Sequence, residues 1–333
     1  MNDRKRVLVT GAGGFIGSHL VSYLKEKGYW VRGVDLKHPE FSETDADEFK
    51  ILDLRYLDAA MQSTDGVDEV YALAADMGGM GFISSHNAQI LYNNSLINLH
   101  TIEAARQNGV KRYLYTSSAC IYPEHLQEDV NVKPLKEEDA YPASPQDAYG
   151  WEKLVSERLC THYREDYGLE TRIVRFHNIF GESGTWEGGR EKAPAALCRK
   201  IATAKFSGVN EIEIWGDGEQ TRSFCYIDDC LEGLYRLMRS DYSESLNLGQ
   251  DRMVSINELA DIIANIAGIS ISKKHVDGPM GVRGRNSDNA KLREVLDWEP
   301  EITLEAGLSK TYEWIESQVK TTAVSNASSV GVS

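Results

Sequence analysis

Along the first half of the chain, short apolar runs alternate with longer stretches in which apolar positions recur every third or fourth residue. This rhythm predicts strands over 6–10, 30–35, 49–53, 69–74, 111–117 and 171–176. It predicts helices over 16–27, 89–108 and 148–167. Strands separated by helices at this spacing imply an α/β fold with a Rossmann-type, doubly wound parallel sheet. Beyond about 176 the rhythm changes. Glycines, charges and short apolar runs mix over 177–217, and shorter elements follow over 211–215, 222–227, 257–266 and 304–319. The expected division is a sheet domain over 1–176 and a smaller α+β domain over 177–320, with some late segments returning to the sheet. Residues 321–333 are small and polar and are expected to form a disordered tail. No internal repeat is present.

Composition narrows the class. The 333 residues are 41% hydrophobic and 26% charged, an ordinary globular balance. No apolar run reaches the length of roughly 18 residues that a spanning helix needs, and the apolar stretch at 7–10 is too short for a signal peptide. The expected location is the cytoplasm. With 36 basic and 51 acidic residues, the net charge of −15 argues against nucleic acid and anionic membrane as partners. A small anionic ligand would need a local basic pocket. Five cysteines without CxxC spacing, and histidines without HExxH, point to neither a disulfide framework nor a metal site.

The clearest local signal is the string TGAGGFIG at 10–17, between a strand and a helix. Gly11, Gly14 and Gly17 permit a tight turn and close approach of a pyrophosphate. Phe15 and Ile16 open a helix whose free N–H groups favour an anion. In this context the string reads as a dinucleotide site. Asp35, at the end of the second strand, suits ribose hydroxyls and opposes a 2′-phosphate, which favours NAD over NADP. Asp53, after the third strand, is equally readable as an adenine contact or a surface carboxylate. Leu73, Ala74 and Ala75 end the fourth strand with side chains suited to close packing.

Tyr149 and Lys153 lie four apart, on one helix face. A free tyrosine titrates near ~10, and a neighbouring ammonium with a positive nicotinamide would favour its phenolate. By itself this is a common surface pair. Ser118, just past the fifth strand, stands where such a sheet places its ligands and could hydrogen-bond a reacting oxygen. The Gly-rich loop, Ser118, Tyr149 and Lys153, in this order, resemble the extended short-chain dehydrogenase/reductase family over residues 5–318. The Asp-Glu pair that nucleotide-sugar dehydratases carry after the serine position is missing here; the residues are Ala119 and Cys120.

Longer strings sharpen the resemblance: AADMGGMGF at 74–82, SSACIYP at 117–123, PQDAYG at 145–150, RFHN at 175–178, GGREKAP at 188–194, WGDGEQTR at 215–222 and GVRGRNSD at 281–288. They are similar to the branch that inverts C3 and C5 of a GDP-linked hexose. Extra residues within 203–210, and Trp151 in place of a smaller apolar residue, depart from its pattern. The resemblance implies NAD, transient oxidation at C4, and proton exchange by Cys120 and Lys192. Without it, Cys120 reads as a core thiol and Lys192 as part of a solvated charge cluster. Arg222 and Arg285 are candidates for a pyrophosphate because guanidinium forks suit phosphate oxygens; Lys200 and Arg283 come next. Asn178, Glu191 and Gln220 are candidates for polar substrate groups, and Gly78 for close approach of the hexose. Each is equally readable as a surface residue, and His177 as a packing residue. The alternatives are a UDP-hexose 4-epimerase or nucleotide-sugar reductase with Cys120 and Lys192 idle, and a non-catalytic NAD-binding regulator. Apolar positions such as Leu91, Leu96, Leu99, Leu154 and Leu159 on the two long helices predict a homodimer.

Overall fold

The structure is a computed structural model and describes residues 4–330. Strands β1 (Arg6–Thr10), β2 (Trp30–Asp35), β3 (Glu48–Ile51), β4 (Glu69–Ala72), β5 (Arg112–Ser118) and β6 (Glu170–Phe176) come from the first half. Four short strands follow: β7 (Ile179–Phe180), β8 (Glu211–Trp215), β9 (Thr221–Ser223) and β10 (Cys225–Tyr226). Strand β11 (Ser245–Leu248) then joins β6, completing a sheet of order β11-β6-β5-β4-β1-β2-β3 in which every pair is parallel. This is the doubly wound α/β class that the rhythm predicts. The order reverses between β1 and β4, and the crevice at the carboxyl ends there is where such sheets take ligands.

A small sheet carries the chemistry of the second half. Strand β12 (Met253–Ser255) pairs antiparallel with β9. Strand β13 (Ser272–Val276) pairs with β8, and β14 (Gly284–Arg285) pairs parallel with β9. That last register sets Arg285 opposite Arg222.

Among the described residues ten α-helices pack around these strands: α1 (Phe15–Glu26), α2 (Leu57–Thr64), α3 (Met80–Ile83), α4 (Asn87–Gln107), α5 (Ala148–Tyr167), α6 (Ala193–Ser207), α7 (Ile227–Arg239), α8 (Ile256–Ala267), α9 (Ala290–Leu296) and α10 (Leu304–Val330). Successive side chains of a strand point to opposite faces. Val7 and Val9 therefore join the core beneath α1, α6, α7, α8 and α10, while Leu8 joins the core beneath α2, α4 and α5.

Several expectations change. Strand β4 stops at Ala72 because the N–H groups of Leu73 and Ala74 donate instead to Thr10 Oγ1, both at 3.1 Å. Helix α6 lies inside the stretch read as irregular. Pro194 near its start and left-handed Gly208 at its end are ordinary helix signals. The short element expected over 222–227 divides into β9 and β10, and Ile227 begins α7. Ile227, Leu231, Leu234 and Met238 recur at helical spacing, and all are buried. Residues 321–330, expected to be disordered, continue α10; no glycine or proline interrupts 308–330. Residues 331–333 of that expected tail lie outside the described residues.

A buried polar network ties the sheet to the irregular segment after β5. Arg175 of β6 donates from Nε and Nη2 to the two oxygens of Glu157 on α5, at 2.9 and 2.7 Å. Its Nη1 donates to the Tyr122 hydroxyl and to the carbonyl of Glu137. The Tyr122 hydroxyl in turn donates to Asn247 Oδ1 of β11 at 2.6 Å. Both members of the ion pair are under 5% exposed. Removing one partner of such a pair strands a charge. Arg175→Met is expected to cost about 3–5 kcal/mol, read as a lower midpoint in denaturant unfolding; a loss below about 1 kcal/mol would contradict the network's importance.

Candidate active site

The loop after β1 is built by close backbone approach. Gly11 has φ +71°, and a Cβ there would stand 2.9 Å from the Ala74 nitrogen. A Cβ on Gly17 would be 2.0 Å from the Gly11 carbonyl oxygen, and one on Gly13 would be 2.1 Å from the Lys37 carbonyl oxygen. Gly13 is thus as constrained as the glycines singled out in the sequence. Gly14 faces more open space and caps α1. Asp35 Oδ2 accepts from the Gly13 N–H at 2.9 Å, and Oδ1 from the Leu36 N–H at 2.6 Å. Beside the loop is a cavity of about 80 Å³, lined by Gly13, Gly14, Phe15, Lys37, Ser183 and Thr185 among others. Bare backbone N–H groups at a helix start, with a carboxylate beyond them, fit a dinucleotide. Asp53 is paired with a neighbouring side chain. Arg55 donates to it from Nε and Nη2, and this bonding holds the Asp53 carboxyl below its usual range.

At the carboxyl end of β5 the chain turns through Ser118 and Cys120 against the start of α5. Asp147 caps that helix, accepting from the Gly150 N–H at 2.8 Å. A Cβ on Gly150 would lie 2.2 Å from the Cys120 carbonyl oxygen, so the absence of a side chain lets helix and turn meet. Ser118 Oγ accepts from the Cys120 N–H at 3.1 Å and stands near enough to the Tyr149 hydroxyl to favour its phenolate. Lys153 is buried. Its Nζ donates to the Thr116 carbonyl at 2.9 Å and lies 5.6 Å from the centre of the Tyr149 ring. Burial raises the Tyr149 phenol well above its ordinary range, with the charge at Cys120 adding to the rise and Ser118 opposing it. Burial also lowers the Lys153 ammonium, against the pull of Glu152.

Cys120 is the only one of the five cysteines that is not buried. Its Sγ accepts from Arg285 Nη1 at 3.2 Å. Lys192 caps the start of α6. It is open to solvent by surface area, yet it stands in the cleft with protein crowded around it. That poor solvation lowers its ammonium, and Cys120 is the charge that opposes the shift most. The segment 190–192 rests on Gly79, where a Cβ would lie 2.5 Å from the Glu191 carbonyl oxygen. At Gly78 a Cβ would lie 2.9 Å from the Phe82 Cβ.

Arg222 completes the basic cluster. Its Nη1 and Nη2 donate to the carbonyls of Thr221 and Val282, at 2.7 and 2.6 Å. Poor solvation pulls its guanidinium down to about 9, with the charge of Arg285 next in effect. Gln220 is buried. Its Nε2 donates to the Trp215 carbonyl, and its Oε1 has no partner among the described residues.

The fold therefore gathers Ser118, Cys120, Tyr149, Lys153 and Arg285, with Lys192 and Arg222 in electrostatic range of Cys120. Other candidates are occupied by the protein itself. Glu191 accepts from Arg199 and from the Gly189 N–H. Lys200 donates to the Glu213 carbonyl, Asn178 to the Ser223 carbonyl, and Arg283 to both oxygens of Asp217. His177 is fully buried and bonded to Asn247, and burial lowers its imidazole to about 3, so it is neutral packing.

Comparison with known proteins agrees with this arrangement. Residues 7–249 match the family described as NAD dependent epimerase/dehydratase. The chain is 53% identical to GDP-mannose 3,5-epimerase 1 of Oryza sativa subsp. japonica, over 96% of this chain and 84% of that one. It is 51% identical to GDP-mannose 3,5-epimerase of Arabidopsis thaliana over the same shares. Among solved structures, UDP-glucose 4-epimerase of Thermotoga maritima superposes with a TM-score of 0.84 at 27% identity, covering 94% of this chain and 99% of that one. Among the described residues no helix is long and apolar enough to cross a membrane. By sequence match and by architecture alike, the chain belongs to the NAD dependent epimerase/dehydratase family.

Proposed function

We propose that this chain epimerises GDP-mannose at C3 and C5, giving GDP-L-galactose, and GDP-L-gulose where only C5 inverts. The observation that supports this most is Cys120, with Lys192 in electrostatic range, beside the Ser118–Tyr149–Lys153 set. In this reading residues 1–176 hold NAD and 177–320 hold the nucleotide sugar. Gly11, Gly14, Phe15, Ile16 and Gly17 cradle the pyrophosphate of NAD, and Asp35 takes the ribose hydroxyls.

When bound, NAD supplies a hydride acceptor and donor for C4 and a positive ring beside the phenol, with no net oxidation over the cycle. Tyr149 removes the C4 hydroxyl proton and later returns it. Ser118 holds that oxygen. Lys153, its Nζ 5.6 Å from the ring centre, favours the phenolate that burial opposes. The C4 ketone acidifies the hydrogens on C3 and C5. Each inversion takes a proton from one face and delivers one to the other, so two groups are needed, and Cys120 and Lys192 are those groups. Arg222 and Arg285 meet the diphosphate. The chain works in the cytoplasm as a homodimer, pairing through α4 and α5. Leu91, Tyr92, Leu99, Trp151 and Val155 are exposed on these helices, whereas Leu154 is buried in the subunit.

Three outcomes are expected. In heavy water with GDP-mannose, the natural protein places deuterium at C5 of the recovered sugar. Tyr149→Phe stops all chemistry, whereas Cys120→Ala and Lys192→Ala each lower inversion by about 10²–10⁴-fold while the near-ultraviolet signal of reduced cofactor persists. Chromatography showing change at C4 alone would instead favour a 4-epimerase. Secondly, Asp35→Asn weakens the preference for NAD and admits NADP in calorimetric titration of the apoprotein; an unmutated protein that binds both equally contradicts the role of Asp35. Thirdly, light scattering gives twice the single-chain mass, and Trp151→Glu with Val155→Glu reduces it to one chain.

A further inference from the structure

One buried polar side chain outside the groups assigned above reaches the reacting end of the cleft. Gln127 is 1% exposed and follows the short helical turn Glu124–Leu126. Its Nε2 donates to the carbonyls of Tyr122 and Pro123, at 3.1 and 3.2 Å. These bonds fix the side chain to the turn that carries Cys120. Its Oε1 accepts from Arg285 Nε at 2.6 Å. Its own carbonyl accepts from the N–H groups of Arg283 and Gly284, which anchors β14 as well. Every polar atom of the Gln127 side chain thus has a partner, and one of those partners is the guanidinium on the Cys120 sulfur.

A guanidinium is planar, and its five N–H groups are rigidly arranged. Once Nε is held, the position of Nη1 follows. In Arg285 that position is 3.2 Å from Cys120 Sγ. An N–H from a cation to sulfur is a charge-assisted contact, strongest when the sulfur carries negative charge. Released from Gln127, the long arginine side chain would turn among its rotamers, and the sulfur would lose its fixed donor. Local signals do not announce this, since Gln127 and Arg285 are 158 residues apart.

We propose that Gln127 is a positioning residue for proton exchange: by holding Arg285 through Nε, it keeps Nη1 on the Cys120 sulfur and the sulfur aimed into the cleft. The inference rests on the reading of Cys120 as a proton carrier, and the experiment separates the two. It uses the full chain with NAD and GDP-mannose in heavy water. Deuterium uptake at C5 reads proton exchange, and the transient near-ultraviolet absorbance of reduced cofactor reads C4 oxidation. Gln127→Met, similar in volume and without a polar acceptor, is expected to slow deuterium uptake at least about tenfold. C4 oxidation at saturating GDP-mannose should stay within about threefold of the natural protein, while KM rises because Arg285 also meets the diphosphate. Gln127→Glu keeps an oxygen for Arg285 Nε and should lose less. In a Cys120→Ala background the sulfur is gone, so adding Gln127→Met should change residual exchange by less than about twofold. A merely structural role would depress oxidation and exchange together, and would add its full loss to Cys120→Ala; either result overturns the proposal. If Gln127→Met does not fold, judged by circular dichroism, Gln127→Glu in the two backgrounds decides by the same comparison. Exchange at the natural rate in Cys120→Ala alone would instead overturn the role of Cys120.

Discussion

The site depends on one buried guanidinium. Arg175 leaves the sheet at β6 and grips Glu157 on α5, the helix that presents Tyr149 and Lys153. Through Tyr122 and Glu137 it also grips the segment that begins at Cys120. A charge so deep is tolerated because four of its five N–H groups donate to the protein, two of them to a carboxylate. Sheet, catalytic helix and irregular segment therefore hold one relative position. Gly150 then allows the turn at Cys120 to rest directly on the helix start.

The charge distribution is the second organising feature. The chain carries a net charge of −15, yet Lys192, Arg222 and Arg285 face one cleft. Arg222 and Arg285 sit opposite one another in register, and their mutual repulsion and poor solvation make full charging costly, which is why the guanidinium of Arg222 is pulled down to about 9. An opposite charge placed between them would offset that cost.

What was legible in the sequence was local or periodic. The strand–loop–helix around 10–17, the pair Tyr149 and Lys153, and the strand rhythm each lie within a short window. Helix α7 was equally legible: Ile227, Leu231, Leu234 and Met238 keep helical spacing. The contact between Arg285 and Cys120 spans 165 positions and arises only because β14 pairs with β9. No local pattern encodes it. The same holds for Gln127, which in sequence is one polar residue of a loop.

Helix α5 holds Tyr149 and Lys153 on its inner side and shows Trp151 and Val155 on its outer side. An α-helix rises about 1.5 Å per residue and is stiff over a few turns. Trp151 and Tyr149 are therefore neighbours on one rod. Anything that leans on the outer face pushes the phenol by the same displacement, with no flexible joint between to absorb it. Pressure on the outer face of α5 is in this way a mechanical input to the position of the Tyr149 phenol.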